Sequence, residues 1–335
     1  MSQKGYRIRK MYNIDTADQN LLGLLQVEFP LTEEPFAHLG QRLGIGAEEV
    51  MQRVQGLKTK GIVRQISPVY DARRLGFHTT LVAMKVSHAQ MEKAGSLLQA
   101  HPGISHAYER DCDINLWFTL SMPSESKLEA EWQRLGDAIS AETAFSLPTL
   151  KLFKIGAYFN VGGTVQASKK HYSRGIQPRA ALSPTDRVVV NESQQDLPLC
   201  PRPFADMADR LSMSERAFLT HIRGLLRRGI MRRYGAAVNH RRAGFKANAL
   251  TCWNAPKAIV DAAGEKLSSF TEVSHCYERK TNPQWQYNLF TMIHSHSWEV
   301  CREIMARASC EIGLTDYIQL FSTREFKKIR VKYLL

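Results

Sequence analysis

Residues 61–77 read GIVRQISPVYDARRLGF, and residues 229–245 read GIMRRYGAAVNHRRAGF. A shift of 168 positions superposes them without a gap and leaves seven identities in seventeen. The same shift lays Pro35-Phe36 on Pro203-Phe204 and Leu43 on Leu211. Further out, Ser105-His106-Ala107-Tyr108-Glu109-Arg110 recurs as Ser274-His275-Cys276-Tyr277-Glu278-Arg279, one residue out of step. The chain is two diverged copies of one module, a pseudo-dimer within one polypeptide. The surface shared by the copies is where a site is expected.

Upstream of the quoted stretch lie three helical patterns. Asp18 to Phe29 is apolar-periodic; Phe36, Leu39 and Leu43 share one face; Val50, Val54 and Leu57 mark a third helix, which Gly61 ends as a C-cap. Copy two matches with Phe204, Met207 and Leu211, then Phe218, Ile222 and Leu225, then Gly229. Three short helices and an extended segment predict a winged helix-turn-helix. Downstream, periodicity predicts strand, helix, strand, strand, helix, strand over 79–86, 89–100, 104–110, 114–121, 125–142 and 149–156. Copy two repeats the order over 247–254, 256–269, 272–279, 286–294, 297–311 and 316–322. That βαββαβ order is ferredoxin-like. The expected fold class is α+β, with helix-turn-helix units at 14–75 and 183–243 and ferredoxin-like units at 76–162 and 244–335. A basic linker at 163–182 joins the halves.

Composition narrows the function classes. Forty-five Lys and Arg against 32 Asp and Glu leave +13, which asks for a polyanionic partner: nucleic acid, or a small molecule with many carboxylates. No apolar run is long enough to span a bilayer and the N-terminus has no signal-peptide core, so a cytoplasmic protein without a membrane partner is expected. The six cysteines form no CxxC pair, which argues against a zinc site or a disulfide framework. Phosphate-loop, HExxH and GxSxG patterns are missing, so nucleotide-dependent, zinc-hydrolase and serine-hydrolase readings have no support.

A winged helix-turn-helix joined to a ferredoxin-like domain resembles the Lrp/AsnC regulators, and particular strings resemble a narrower branch, the siroheme decarboxylases. Copy one, with FPLTEEPF, SHAYERDCDINLWFTL and LPTLKLFKIGAYF, resembles the NirD or AhbA subunit. Copy two, with VSHCYERKTNPQWQYNLFTMIH and LFSTREFKKIRVKYL, resembles the NirL or AhbB subunit, so the whole is similar to a fused NirDL chain. The resemblance implies removal of two acetate carboxyl groups from siroheme to give 12,18-didecarboxysiroheme, on the way to heme d1 or heme b. It implies no required cofactor and no metal beyond the iron of the substrate. Its implied partners are siroheme, the product, and other heme d1 biosynthesis proteins; a fused pair can itself dimerise.

Siroheme is a flat apolar macrocycle rimmed by eight carboxylates. A site for it needs an apolar slot, cations on the rim, and a proton donor where carbon dioxide leaves. Arg64, its repeat mate Arg232, neighbouring Arg233, and the pair Arg110 and Arg279 are the expected carboxylate grips, because guanidinium binds carboxylate through two parallel hydrogen bonds. Retention in both copies marks scaffold as readily as function. Four histidines are candidate acids: His106, His240, His275 and His294. His240 and His294 have no histidine mate in copy one, which points to more of the chemistry in copy two. Tyr108 and Tyr277 stand two residues from His106 and His275, so His, Tyr and Arg share a strand face. Trp285, Tyr287 and Asn288 are expected against the macrocycle. The helix-turn-helix also suits a DNA-binding regulator, but Glu48 and Glu49 open the copy-one recognition helix, where phosphate would repel them. DNA is therefore not the expected partner; a regulator and a non-catalytic heme sensor stay open as alternatives.

Overall fold

The computed structural model describes residues 14–27, 29–156, 179–239, 242–245 and 247–335. The expected linker lies outside them up to residue 178. Copy one begins with α1 (Thr16–Val27), α2 (Pro35–Leu43) and α3 (Ala47–Thr59), followed by β1 (Val63–Tyr70). Its second part is β2 (His78–Lys85), α4 (His88–Ala100), β3 (Ile104–Arg110), β4 (Leu116–Met122), α5 (Glu125–Ile139) and β5 (Thr143–Ile155). Copy two repeats this as α6 (Pro184–Ser193), α7 (Pro203–Asp209), α8 (Glu215–Arg227) and β6 (Met231–Val238). Then come β7 (Ala247–Trp253), α9 (Val260–Ser269), β8 (Val273–Arg279), β9 (Leu289–Ser295), α10 (Trp298–Ile312) and β10 (Tyr317–Lys328).

Local chemistry sets these limits. Pro35 and Pro203 open α2 and α7, where the missing N–H has no intrahelical partner to lose. Ser183 and Asp186 form a reciprocal capping box on α6. Gly61 and Gly229, at φ +64° and +70°, turn the chain out of α3 and α8 in a conformation a side chain would strain.

Neither wing folds back on its own module. β1 and β6 pair antiparallel with each other, Ile66 opposite Ala236 and Pro68 opposite Tyr234, so the two wings form one ribbon across the copies. Beneath it the two helical trios share a single apolar core, in which Leu21, Phe36 and Val54 join Val190, Phe204 and Phe218.

The remaining eight strands close into a barrel in the order β10-β3-β4-β2-β5-β8-β9-β7. Closure depends on β5 and β10, which run longer than periodicity predicts: β5 begins at Thr143 and β10 continues to Lys328. The first half of β5 pairs with β2 of its own copy and the second half with β8 of the other. Likewise β10 passes from β7 to β3. Pro148 lies at the hand-over in β5, where a missing N–H costs least. An aromatic on each exchanged strand lies over a glycine of the other copy's helix. A Cβ on Gly264 of α9 would fall 2.5 Å from Phe153, and one on Gly95 of α4 would fall 2.4 Å from Phe326. The barrel lumen holds its own apolar cluster, including Trp117 and Leu147 from copy one and Leu250, Phe290 and Leu320 from copy two.

Candidate active site

β3 and β8 are four places apart in a ring of eight strands, so they stand on opposite walls of the barrel. Side chains alternate across a strand. Ala107 and Cys276 point outward into the helix-covered cores, while His106, Tyr108 and Arg110 face His275, Tyr277 and Arg279 across the lumen. These two triplets line a cavity of about 1090 Å³ that extends from the lumen to the β1–β6 ribbon. That is at or above the upper end of small-molecule sites, which run to roughly 1,000 Å³.

The walls divide by chemistry. Trp117, Leu250, Phe290 and Met292 supply apolar surface within the barrel. Towards the ribbon, cations dominate: among the described residues, twelve Arg and Lys side chains line the cavity against one acid, Asp71. Such a wall attracts a ligand with many negative charges and an apolar body.

The histidines occupy the boundary between these zones. Ser105 Oγ lies 2.8 Å from His106 Nδ1, and Ser274 Oγ lies 2.9 Å from His275 Nδ1. His294 joins the second group, its Nδ1 3.2 Å from the same Ser274 Oγ. Ser274 Oγ also donates to Met292 O at 3.0 Å, so one hydroxyl ties both rings to the β9 backbone. Burial, reinforced by Lys328, by His275 and by Arg64, lowers the pKa of His106 to about 3. Burial, with Lys328 and Arg233 the leading like charges, does the same to His275, also to about 3. Both are neutral at pH 7 until negative charge arrives.

Arg110 and Arg279 are buried on opposite walls, and neither forms an ion pair among the described residues. Arg110 Nη1 donates to Leu320 O at 2.8 Å, and Arg279 Nη1 to Leu147 O at 3.0 Å, so each clasps a strand of the other copy. In both, Nε is buried without a partner. Each guanidinium also stacks on the tyrosine of its own triplet, at 5.4 Å from the Tyr108 ring and 4.9 Å from the Tyr277 ring. Desolvation lowers both pKa values, that of Arg279 to about 10.

Arg64, Arg232 and Arg233 also line the cavity, but partners restrain them. Arg64 binds Glu325 at 2.8 Å and the carbonyl of Lys328; Arg232 binds Asp71 at 2.8 Å; Arg233 donates to Gln26 O at 2.7 Å. They hold the ribbon to the barrel and to α1 while presenting charge to the cavity.

Three residues expected against the macrocycle lie off the cavity lining. Trp285 packs inside the barrel, its ring 5.0 Å from Trp117 and 6.0 Å from Phe145, and does not reach the cavity. Tyr287 packs edge-on against Trp285 at 5.4 Å, away from it as well. Asn288 is a backbone clasp: its amide exchanges two hydrogen bonds with Ala255, as Asn115 does with Val86 in copy one. The repeat-matched asparagines close the same strand end, so residue 288 belongs to the scaffold. His240 lies outside the described residues.

One wall went unforeseen. After β10 the chain runs along the cavity as a strap from Lys328 to Tyr333. Ile329 N donates to Ser105 O at 2.8 Å, and the Gln194 side chain brackets Tyr333 with bonds of 2.9 and 2.7 Å. Arg330 fastens the strap to both ribbon strands through Ser67 and Gly235. The cation-rich FKKIRVKY string was the available signal.

The ribbon also bears on the regulator reading. With β1 and β6 paired to each other, no wing hairpin among the described residues is free to track a duplex. On the recognition helices Arg53 is engaged by Asp15, Asp18 and Glu49, and Arg223 by Leu31 O.

Comparison with known proteins agrees with this architecture in both copies. The profile for the siroheme decarboxylase NirDL-like HTH domain matches residues 18–64 and 186–232, and that for the AsnC-like ligand binding domain matches 74–154 and 242–327. A siroheme decarboxylase of Hydrogenobacter thermophilus is 38% identical over 93% of this chain and 93% of its own length. The beta subunit of a siroheme decarboxylase from Methanosarcina barkeri is 38% identical, matching 45% of this chain with 99% of its own. The crystal structure of the siroheme decarboxylase NirDL in co-complex with an iron-uroporphyrin III analogue superposes with a TM-score of 0.70 at 35% identity, covering 95% of each chain. Among the described residues no helix is long and apolar enough to cross a membrane. With a relative of the same length and both repeats matched, the chain belongs to the siroheme decarboxylase family of enzymes, in the fused NirDL arrangement.

Proposed function

We propose that this chain is a carboxy-lyase that binds siroheme in the barrel-mouth cavity and removes two of its acetate carboxyl groups, giving 12,18-didecarboxysiroheme for heme d1 or heme b formation. The observation that carries this reading is the cavity wall: apolar within the barrel, cationic towards the ribbon, with neutral histidines on the boundary. The apolar wall accommodates the macrocycle. The arginine and lysine side chains meet the carboxylates that are retained. Each lost group leaves as carbon dioxide, its bonding pair stays on the methylene carbon, and a proton converts that carbon to methyl.

The proton source follows from the electrostatics. Burial and neighbouring cations keep His106 and His275 unprotonated in the free protein. A ligand with eight carboxylates reverses the sign of the local field and favours imidazolium. Substrate binding thereby charges its own acid. Tyr108 and Tyr277, beside the two rings, orient the same region. No cofactor is needed beyond the conjugated ring and iron of the substrate.

Anaerobic incubation of the purified chain with siroheme, followed by mass spectrometry, tests the reading. The expected product is lighter by two carbon dioxide units. Bound siroheme of unchanged mass would instead leave a carrier or sensor.

A further inference from the structure

His294 borders two cavities. On one side is the site just described; on the other is a second pocket of about 520 Å³, lined by Phe245, Glu272, His296, Glu303 and Arg307. Of these, His296, Glu303 and Arg307 are exposed, so the second pocket opens to water. The His296 ring stacks on Phe245 with Nδ1 3.2 Å from Gly244 O, and Glu272 is held by Arg307 at 2.7 Å. Inside, Ser274 Oγ bridges His294 and His275. A continuous path of exchangeable protons therefore leads from an outer pocket to a ring on the wall of the site.

The other half lacks that path. In the strand pairing Ser121 lies opposite Thr79 where His294 lies opposite Asn248, and the Ser121 hydroxyl bonds Thr79 Oγ1 at 2.9 Å. His106 thus has a serine neighbour at Nδ1 but no second imidazole behind it.

We propose that His294 is a relay residue, delivering protons from the outer pocket through Ser274 to His275. The inference rests on the decarboxylase reading and specifies how its proton demand is met. Each turnover consumes one proton per carboxyl group released. His294 takes a proton from water in the outer pocket and passes its Nδ1 proton to Ser274 Oγ. The serine hydroxyl turns from Met292 O and hands its own proton to Nδ1 of a His275 that carries its proton on the other nitrogen, and the imidazolium so formed releases that second proton to the carbanion carbon. One proton enters, one is delivered, and no redox partner is involved. The histidine pair suits this task because imidazole gains and loses protons readily near pH 7.

Two substitutions separate relay from scaffold. His294→Ser places at this position the residue that the other half already carries, so folding is expected to survive. His294→Gln keeps a donor for Ser274 but cannot carry a proton onward. Siroheme affinity from visible spectra and carbon dioxide release are measured for both, with and without added imidazole. The expected result is near-wild-type affinity, turnover about tenfold slower in both variants, and recovery of His294→Ser by imidazole. A Gln variant at full rate, or a slow Ser variant that imidazole does not restore, overturns the relay alone. A wild type that binds siroheme and releases no carbon dioxide overturns the decarboxylase reading, and the relay with it.

Discussion

The two halves of the barrel share a plan and differ at one wall. Copy one presents Ser105, His106, Tyr108 and Arg110 and closes behind them with Ser121; copy two presents Ser274, His275, Tyr277 and Arg279 and is backed by His294. What is the same on both sides builds the container and its proton-accepting rings. What differs connects one of those rings to water. Repetition therefore conveys two separable things in this chain: a shared slot, and the positions, Ser121 against His294 among them, at which its two walls have diverged.

The sharpest way to break this comparison is at the rings. His106→Gln and His275→Gln should each lower turnover by about 10²- to 10⁴-fold while leaving siroheme bound, as expected for loss of a positioned acid. Equal losses would make the opposed rings equivalent acids; loss in only one would confine the chemistry to one wall. Single-turnover mass spectrometry reads both outcomes.

A smaller effect is expected from the buried arginines. Arg110→Met and Arg279→Met each replace a cation on one wall with an unbranched apolar side chain. Loss of one charge-assisted contact is worth roughly 1.5–3 kcal/mol, or about ten- to a hundredfold in siroheme affinity. Melting should change by only a few degrees, since replacing a buried charge with a packed side chain is often neutral. A large fall in melting with unchanged affinity would assign both to the strand exchange alone.

A further difference concerns acid stability. His106 and His275 are each lowered to about 3 in the folded protein, below the free value of 6.5. Between those limits the unfolded chain binds more protons, so stability is complete above about pH 6.5 and is lost as pH falls towards about 3. Thermal melts at pH 7 and pH 4.5 should show a drop that shrinks in either Gln variant. Similar shrinkage in the two would sharpen the equivalence of the rings.

The fold was legible because it was written twice. Gly61 and Gly229, the apolar faces of the helix trios and, one residue out of step, the SHxYER strands each appear twice, and the structure places them alike. Strand periodicity also oriented His106, Tyr108 and Arg110 correctly, since a period of two leaves only one other choice. Partner choice was not legible. β5 and β10 change partners midway, and nothing in TAFSLPTLKLFKI distinguishes a strand that stays in its own sheet from one that crosses. For the same reason Trp285 and Tyr287 were assigned to the ligand: an aromatic on a loop fills whatever space tertiary packing leaves, here the lumen behind Trp117. The restraint of Arg64 by Glu325 links residues 261 positions apart, a distance no local pattern spans.

Closure of the barrel by exchanged strands has a consequence for how such a molecule can be divided. Among the described residues every strand pairing lies outside the segment between the copies, whereas pulling the copies apart would bare the edges of β3, β5, β8 and β10 at once. With β5 and β10 each shared between the copies, two separate pieces would behave as an obligate pair. Which pieces pair then matters. Two first copies would carry a serine at both positions corresponding to His294, and two second copies a histidine at both. Only the mixed assembly sets a ring backed by a second histidine against one that lacks it, so fusion guarantees unlike neighbours at equal dose.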